Sequence, residues 1–229
     1  MGVKVLFSLL EDYSQIYQDI SFRDSKLVVD GSNLAYHLYL ASNLDQNHSG
    51  EYLAFQALIK AFFKNLANCK ILPNVVMDAG SCASDIKLHT IMDRHGGRLQ
   101  RAQRAALTGR RMKILPPYAL SVFEQTLSHM EVPLAKCFGE ADCQLAALAS
   151  EWCCPVLSTD SDFYIYDLPA GLLSLKHFQW DVVETSRAGS YIPCKRYTTS
   201  SFCTFFNIKS QLLPLFASLA GNDYVNWAQ

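Results

Sequence analysis

The chain has 229 residues, of which 50% are hydrophobic, so it can bury a substantial core and is not composed like a disordered protein. Its 20 lysines and arginines nearly balance 21 aspartates and glutamates, and the formal net charge of -1 excludes a uniformly basic nucleic-acid-binding protein. Any electropositive surface must therefore come from local clustering of charge.

The amino-terminal segment and the cysteines indicate the compartment. The apolar run before Glu11 and Asp12 is too short for a secretory signal, and no later apolar stretch is long enough to span a bilayer. None of the eight cysteines forms a CxxC pair, and we interpret them as reduced, mostly buried thiols. The sequence therefore predicts an intracellular protein in a reducing compartment, with no membrane partner.

Three short apolar runs each end at an aspartate and predict buried strands, at residues 26–30, 74–78 and 154–160. The segment 140–152 precedes the third run and is rich in Ala and Leu, which favours a helix. The segment 51–66 lies between the first two runs and also predicts a helix. Its expected apolar face consists of Leu53, Ala57, Ile59, Phe62, Phe63 and Leu66.

This alternation of buried strands and helices is typical of an α/β fold, in which helices flank a central, mostly parallel sheet. In such sheets, ligands bind at the carboxyl ends of the strands. The three aspartates at the predicted strand ends, Asp30, Asp78 and Asp160, are therefore expected to converge on one edge of the sheet.

Residues 81–117 are polar, basic and interrupted by glycines, and we interpret them as an insertion. Lys87 lies seven residues before Arg94, and Arg98 and Arg101 follow at spacings of four and three, so one helical face could bind phosphates. The alternative is a solvated surface helix, and the Gly-Gly pair at 96–97 disfavours one continuous helix. Seven basic residues and no acid occupy the central part of the insertion: Arg94, Arg98, Arg101, Arg104, Arg110, Arg111 and Lys113.

Acidic residues recur at the predicted strand ends and beside them. Glu140 and Asp142 form an acid-x-acid pair at the start of a predicted helix, and Asp160 and Asp162 form another after the third strand. Asp223 follows an apolar helix near the carboxyl terminus. The candidate metal ligands are Asp30, Asp78, Glu140, Asp142, Asp160, Asp162 and Asp223.

Seven carboxylates in one cleft would repel one another unless cations compensated their charge. Ligands that offer only oxygen select hard ions, so the predicted cofactor is Mg²⁺, with Mn²⁺ as an alternative. Two such ions ~4 Å apart can activate a water, stabilise a leaving oxygen and hold a phosphodiester for in-line attack.

Two other interpretations of these acids stay open. Each aspartate alone can be a turn former or a helix N-cap, and Asp160-Ser161-Asp162 also resembles the metal-binding pair of nucleotide-sugar glycosyltransferases.

The order of these segments resembles the XPG/flap endonuclease superfamily of PIN-like nucleases, and within it the asteroid group. The resemblance runs from Met1 to Tyr224. It implies a three-layer PIN-like fold and a single nuclease domain over residues 1–229, made of an amino-terminal part (1–80), a basic arch (81–117) and an internal part (118–229). The motifs are VVDGSNLAY (28–36), VVMDAG (75–80), FGEADCQLA (138–146), VLSTDSDFYIYD (156–167) and LAGNDY (219–224).

The resemblance also implies a role for each candidate residue. Lys87 and Arg94 match a Lys and an Arg of the helical arch that bind the scissile phosphate, and the other basic residues of the arch would bind nucleic acid. Tyr36 matches an aromatic residue that stacks on a nucleotide near the scissile bond. The acids divide into two groups: Asp30, Asp78, Glu140 and Asp160 would hold the tighter metal ion, and Asp142, Asp162 and Asp223 would support the second.

The implied function is structure-specific endonucleolytic cleavage of DNA by two-metal-ion catalysis. The expected partner is single-stranded or overhanging DNA, the expected setting is DNA repair in the nucleus, and the expected state is a monomer. Because the sequence stops at Gln229, shortly after Tyr224, the duplex-gripping module of the family is expected to be absent. The alternative is a catalytically impaired DNA-end-binding or adaptor protein that keeps the nuclease fold.

Overall fold

A computed structural model describes residues 10, 12–42, 44–46, 50–78 and 88–220, and for residues 88–91, 94 and 220 it describes the backbone only. Within those residues the structure has eight strands, and β7 pairs with β8 beside the main sheet. The strands are β1 (Gln18–Phe22), β2 (Lys26–Asp30), β3 (Leu72–Asp78), β4 (Leu134–Cys137), β5 (Val156–Ser158), β6 (Leu172–Ser174), β7 (Glu184–Ser186) and β8 (Gly189–Tyr197).

Seven α-helices and four short 3-10 helices lie in the same part of the chain. The 3-10 helices cover Ser14–Ile16, Ser161–Tyr164, Leu175–His177 and Ser210–Leu212. The α-helices are α1 (Gly31–Ala41), α2 (Tyr52–Asn68), α3 (Leu88–Thr108), α4 (Ala119–His129), α5 (Asp142–Glu151), α6 (Thr199–Phe206) and α7 (Leu213–Ala220).

The main sheet has the order β1-β8-β6-β5-β2-β3-β4. Its five strands from β6 to β4 run parallel, whereas β8 and β1 are antiparallel to their neighbours. The chain moves from β2 outward to β3 and β4 and then crosses to β5 on the other side of β2. In α/β sheets such a reversal opens a crevice at the carboxyl ends of the two strands, where ligands bind.

The two faces of the sheet carry separate hydrophobic cores because side chains alternate along each strand. Val29 and Val75 pack with buried residues of α1, α2 and α4 on one face. Val28 and Val76 pack with buried residues of α5, α6 and α7 on the other. The predicted α/β fold with a central sheet between helices is therefore confirmed, and the sheet is the middle of three layers.

The predicted strands and helices differ from the structure mainly at their ends. Strand β2 has the predicted bounds, β3 begins two residues earlier, and β5 ends at Ser158, two residues before Asp160. Strand β5 is shorter because the Asp160 side chain caps the 3-10 helix that follows. Residues 171–197, for which no elements were predicted, form β6, a 3-10 helix, β7 and β8.

The apolar face predicted for α2 is partly wrong. Leu53 is 85% exposed and Ala57 is exposed, whereas Phe55, which the prediction omitted, is buried. The buried residues Phe55, Ile59, Phe62, Phe63 and Leu66 follow spacings of three and four, so they form one stripe from which Leu53 and Ala57 are rotated away.

Helix α3 runs through Gly96 and Gly97 without a break, although glycine disfavours helix interiors. Of the α3 residues whose side chains are described, Ala105 alone is buried. No described helix is both long and apolar enough to cross a membrane. The described part of the insertion is therefore dominated by one exposed helix.

The seven described cysteines are free thiols, as expected. The expectation that most are buried holds for Cys69, Cys154 and Cys194. It is wrong for Cys143 and Cys153, which are exposed. Leu145, two residues after Cys143, and Cys154, next to Cys153, are buried instead.

We predict that Gly31→Ala lowers the free energy of unfolding by about 1–3 kcal/mol, because a Cβ there would lie 2.6 Å from both Met77 Cγ and Val75 Cγ1. Urea denaturation measures the change. The control is Gly96→Ala, whose Cβ meets nothing within 4 Å and which should raise stability by up to about 1 kcal/mol. Equal effects of the two substitutions would show that α1 does not pack against β3 as described.

Candidate active site

Six of the seven predicted acids lie at the carboxyl edge of the parallel strands. Asp30 is the last residue of β2, and Asp78 is the last residue of β3. Asp160 and Asp162 follow β5 at the start of a 3-10 helix. Glu140 and Asp142 lie between β4 and the first turn of α5. The seventh, Asp223, lies outside the described residues.

Asp30 is the most deeply placed of these acids, with 7% of its surface exposed. Its Oδ1 accepts a hydrogen bond from the Asn33 backbone N–H at 2.9 Å, so it caps α1. Its Oδ2 accepts from the Ser158 hydroxyl at 2.8 Å. The same hydroxyl accepts from the Asp160 N–H at 3.0 Å. Ser158 therefore links the acids at the ends of β2 and β5.

Further polar contacts join the other elements to this edge. Asp78 Oδ1 accepts from the Ala141 N–H at 2.9 Å, which holds the start of α5 against the end of β3. Asn33 Oδ1 accepts from both the N–H and the hydroxyl of Thr159, at 3.0 and 2.8 Å. The Ser32 hydroxyl accepts from the Asp78 N–H at 3.3 Å.

Ser32, Asn33, Ser158 and Thr159 were not among the residues predicted from sequence. They hold the carboxylates in place through backbone and side-chain hydrogen bonds. A signal for them is present in the sequence, because each is a small polar residue within three positions of a candidate acid, in Asp30-Gly31-Ser32-Asn33 and in Ser158-Thr159-Asp160.

The aspartate at the centre of the edge resists ionisation. Burial raises the pKa of Asp30 from 3.8 to about 6, and the charges of Asp78 and Asp160 act in the same direction. The hydrogen bonds from Asn33 and Ser158 lower the Asp30 pKa but do not offset the loss of hydration.

Asp142 shows the same effect on the opposite side of the edge. Partial burial raises its pKa from 3.8 to about 7. The charges of Asp160, Asp30, Asp162 and Glu140 contribute to the same rise. The acids contributed by β2, β5 and α5 are therefore close enough to repel one another.

The donor chemistry of this edge fits a hard divalent cation, because the acids offer only carboxylate oxygens and repel one another without a positive charge between them. As placed, however, no three of the described His, Cys, Asp and Glu side chains are grouped closely enough to hold one ion. The metal-ligand roles therefore stay predictions that rest on charge and placement.

Tyr36 lies on α1 and is half-buried. The Arg98 guanidinium of α3 lies over its ring, with Cζ 5.7 Å from the ring centroid. The contact connects the exposed helix α3 to α1, the helix that Asp30 caps.

The remaining basic candidates are distributed along α3 and the segment after it. Arg101 and Arg104 are exposed on α3, and Arg110 and Lys113 are exposed beyond it. The Arg111 guanidinium donates to the backbone carbonyls of residues 42 and 44 at 3.2 and 2.6 Å, so it anchors this segment to the end of α1. Lys87 and the side chain of Arg94 lie outside the described residues.

Comparison with curated proteins finds related sequences over nearly the whole chain. Proteins named single-strand DNA endonuclease ASTE1 from Danio rerio and Homo sapiens are each 42% identical, over 98% and 99% of this chain and 33% and 34% of their own length. Protein asteroid of Drosophila melanogaster is 29% identical over 98% of this chain and 32% of its own length. The chain thus spans about a third of the curated relatives it matches. No protein-family profile matches it.

Solved structures show the same fold. The catalytic core of Rad2 in complex with a DNA substrate aligns with a TM-score of 0.64 at 17% identity, over 96% of this chain and 62% of that one. Human GEN1 in complex with Holliday junction DNA aligns with a TM-score of 0.58 at 18% identity, over 98% of this chain and 51% of that one. The predicted XPG-type, PIN-like fold is therefore confirmed.

We predict that Asp30→Asn stabilises the metal-free chain above pH 6 and has little effect near pH 4. The folded state binds a proton at Asp30 more tightly than the unfolded state, because the folded pKa is raised from 3.8 to about 6. The parent therefore loses stability as pH rises through this window, by on the order of 2–3 kcal/mol, and an uncharged amide avoids the loss.

Denaturation with urea in EDTA at pH 4 and at pH 7.5 measures this difference. The control is Asp19→Asn, which removes an exposed carboxylate whose nearest cation is Lys195 at 3.9 Å. A destabilisation by Asp30→Asn that is equal at both pH values would contradict the prediction.

Proposed function

The chain belongs to the asteroid family, and we propose that it is an endonuclease that hydrolyses phosphodiester bonds in single-stranded or overhanging DNA. The observation that carries the proposal is the gathering of six carboxylates at the carboxyl edge of the sheet, beside the reversal at β2. The names of the relatives and the fold shared with DNA-bound nuclease cores support it. Because the chain spans about a third of those relatives, the activity of the whole protein is part of this proposal.

The proposed cofactor is a pair of Mg²⁺ or Mn²⁺ ions. Such ions activate water, stabilise a leaving oxygen and hold a phosphodiester for in-line attack when they are bound. Asp30, Asp78, Glu140 and Asp160 would hold the first ion, and Asp142 and Asp162, with Asp223 by resemblance alone, would hold the second.

The residues of the chain prepare the site in two ways. Ser158 and Asn33 fix the orientation of Asp30, and Ala141 fixes that of Asp78, so hydrogen bonds hold these two carboxylates at the edge before a cation binds. In the absence of a cation, Asp30 is protonated below about pH 6 and Asp142 below about pH 7, and these protons must leave when a cation binds. Cation affinity should therefore rise with pH.

The exposed side chains of Arg98, Arg101 and Arg104 on α3 would bind the phosphates of the DNA backbone. By resemblance, Lys87 and Arg94 would neutralise the scissile phosphate. A basic helix is needed because the acidic edge itself repels nucleic acid until cations are bound.

We predict that Asp160→Asn lowers the rate of DNA cleavage by roughly 100-fold or more while DNA binding persists. Loss even of groups that only orient a metal ligand typically costs about 10–100-fold, and Asp160 is a proposed ligand itself. The assay uses end-labelled single-stranded and overhang DNA with Mg²⁺ or Mn²⁺, and EDTA as the blank.

The matched control is Asp181→Asn, an exposed carboxylate between the 3-10 helix Leu175–His177 and β7. Cleavage by Asp160→Asn at the parental rate would remove Asp160 from the site. If the parent binds DNA but yields no metal-dependent product, the function is the catalytically impaired end-binding or adaptor protein instead.

We also predict that Arg101→Gln with Arg104→Gln weakens binding of single-stranded DNA. Each lost phosphate contact should reduce the slope of log affinity against log salt concentration by about 1. The control removes two exposed lysines from α2, by Lys60→Gln with Lys64→Gln. Fluorescence anisotropy at several salt concentrations gives the slopes, and equal slopes for the two double variants would contradict the assignment.

A further inference from the structure

One phenylalanine lies against the acidic edge with its ring fully in water. Phe138 is 100% exposed, whereas the next most exposed described phenylalanine, Phe205, is 43% exposed. Burial of such a side chain would contribute about 1.5–3 kcal/mol, and the fold forgoes this gain at Phe138. No ring contact is recorded for Phe138 among the described residues, although aromatic pairs are common in this protein.

The position of Phe138 is fixed by the elements on both sides. It directly follows Cys137, the last residue of β4, which pairs in register with Asp78. Three residues later the Ala141 N–H donates to Asp78 Oδ1. Gly139 between them has a φ of +97°, a value that side-chain-bearing residues rarely adopt. Phe138 therefore lies on a short turn that is tied to Asp78 at both ends and contains Glu140.

We propose that Phe138 stacks on an unpaired nucleobase of the DNA strand whose phosphate lies at the acidic edge. The proposal rests on the proposed function and adds a residue that selects single-stranded substrate. A flat, uncharged ring suits this position because it contributes to binding without depending on the phosphate charge, which the neighbouring acids oppose. Bases of a single strand present their faces to such a ring, whereas those of a duplex are stacked on one another.

Tyr36, the aromatic residue to which the sequence resemblance assigns stacking, is placed differently. Its ring is half-buried and the Arg98 guanidinium lies over it. A nucleobase would have to displace Arg98 to stack on that face, whereas the Phe138 ring needs no rearrangement. The structure therefore has one aromatic ring covered by an arginine, that of Tyr36 on α1, and one fully exposed ring, that of Phe138 on the turn after β4.

The test is a double-mutant cycle between the protein and the DNA. Binding of a fluorescein-labelled single-stranded 20-mer is measured with Ca²⁺ in place of Mg²⁺, so that a hard cation offsets the charge of the acids, and each sample is checked for cleavage. An abasic residue is placed at each position in turn. Phe138→Ala should weaken binding of the intact oligonucleotide by about 5- to 150-fold. One abasic position should cost the parent a similar factor and should cost Phe138→Ala almost nothing further.

Two further variants separate stacking from apolar contact and from misfolding. Phe138→Trp keeps a flat ring and should bind like the parent, whereas Phe138→Leu keeps apolar bulk and should bind like Phe138→Ala. The control is Leu72→Ala, which removes another exposed apolar side chain at the opposite, amino-terminal end of β3. It should leave binding unchanged.

The outcomes distinguish this proposal from the proposed function. If the parent cleaves DNA but Phe138→Ala binds like the parent, the stacking role is overturned and the nuclease stands. Equal weakening of Phe138→Ala on intact DNA and on every abasic oligonucleotide also overturns it, because it would indicate a disturbed turn. If the double-mutant cycle shows coupling but the chain never cleaves DNA, the result supports Phe138 as a base-binding residue and overturns the nuclease function.

Discussion

The cost of ionising several carboxylates at one partly buried edge is the constraint on which the rest of this structure depends. Parallel strands that end at the same edge bring Asp30, Asp78 and Asp160 together, and the start of α5 adds Asp142. Burial is the main reason why the pKa values of Asp30 and Asp142 are raised, and the charges of the neighbouring carboxylates add to it. Hydrogen bonds from Ser158 and from the Asn33 backbone N–H hold Asp30 in place and offset only part of this cost. The proposed cations would relieve the repulsion between the acids, which helix capping alone leaves in place.

Capping and metal binding are not exclusive at this edge. Asp30 caps α1 and Asp160 caps a 3-10 helix, as the simplest interpretation of an aspartate at a strand end expects. Capping fixes the direction in which each carboxylate points, and it uses one hydrogen bond where a carboxylate can accept several. Helix capping therefore orients the carboxylates for the metal binding proposed at this site.

The sequence predicted the three adjacent strands β5, β2 and β3 because the information for them was local. Apolar runs with a terminal aspartate located these strands, helical spacing located α2, and a composition rich in Ala and Leu located α5. Leu53 was placed on the wrong face because the start of α2 carries several apolar residues, and Phe55 rather than Leu53 lies on the same side of the helix as Ile59 and Phe62. Ser158 could not be assigned a role, since its bond to Asp30 joins residues 128 positions apart and depends on the pairing of β2 with β5. The sequence also could not show that the Phe138 ring is exposed, because a phenylalanine next to a predicted strand is expected to be buried in the core.

The distribution of charge explains why recognition and chemistry would fall to different elements. An anionic edge attracts cations but opposes phosphate, so affinity for DNA has to come from groups outside it. The exposed arginines of α3 supply positive charge, and Arg111 fastens the segment beyond that helix to the end of α1. The contact between Arg98 and Tyr36 ties α3 to α1, the helix that Asp30 caps. A strand held by its phosphates along α3 and by one base on the Phe138 turn would be fixed on two sides of the acids. Neither of these contacts uses the carboxylates, so mutations should be able to abolish cleavage without abolishing binding. If the acids also bound the DNA, the two losses would occur together.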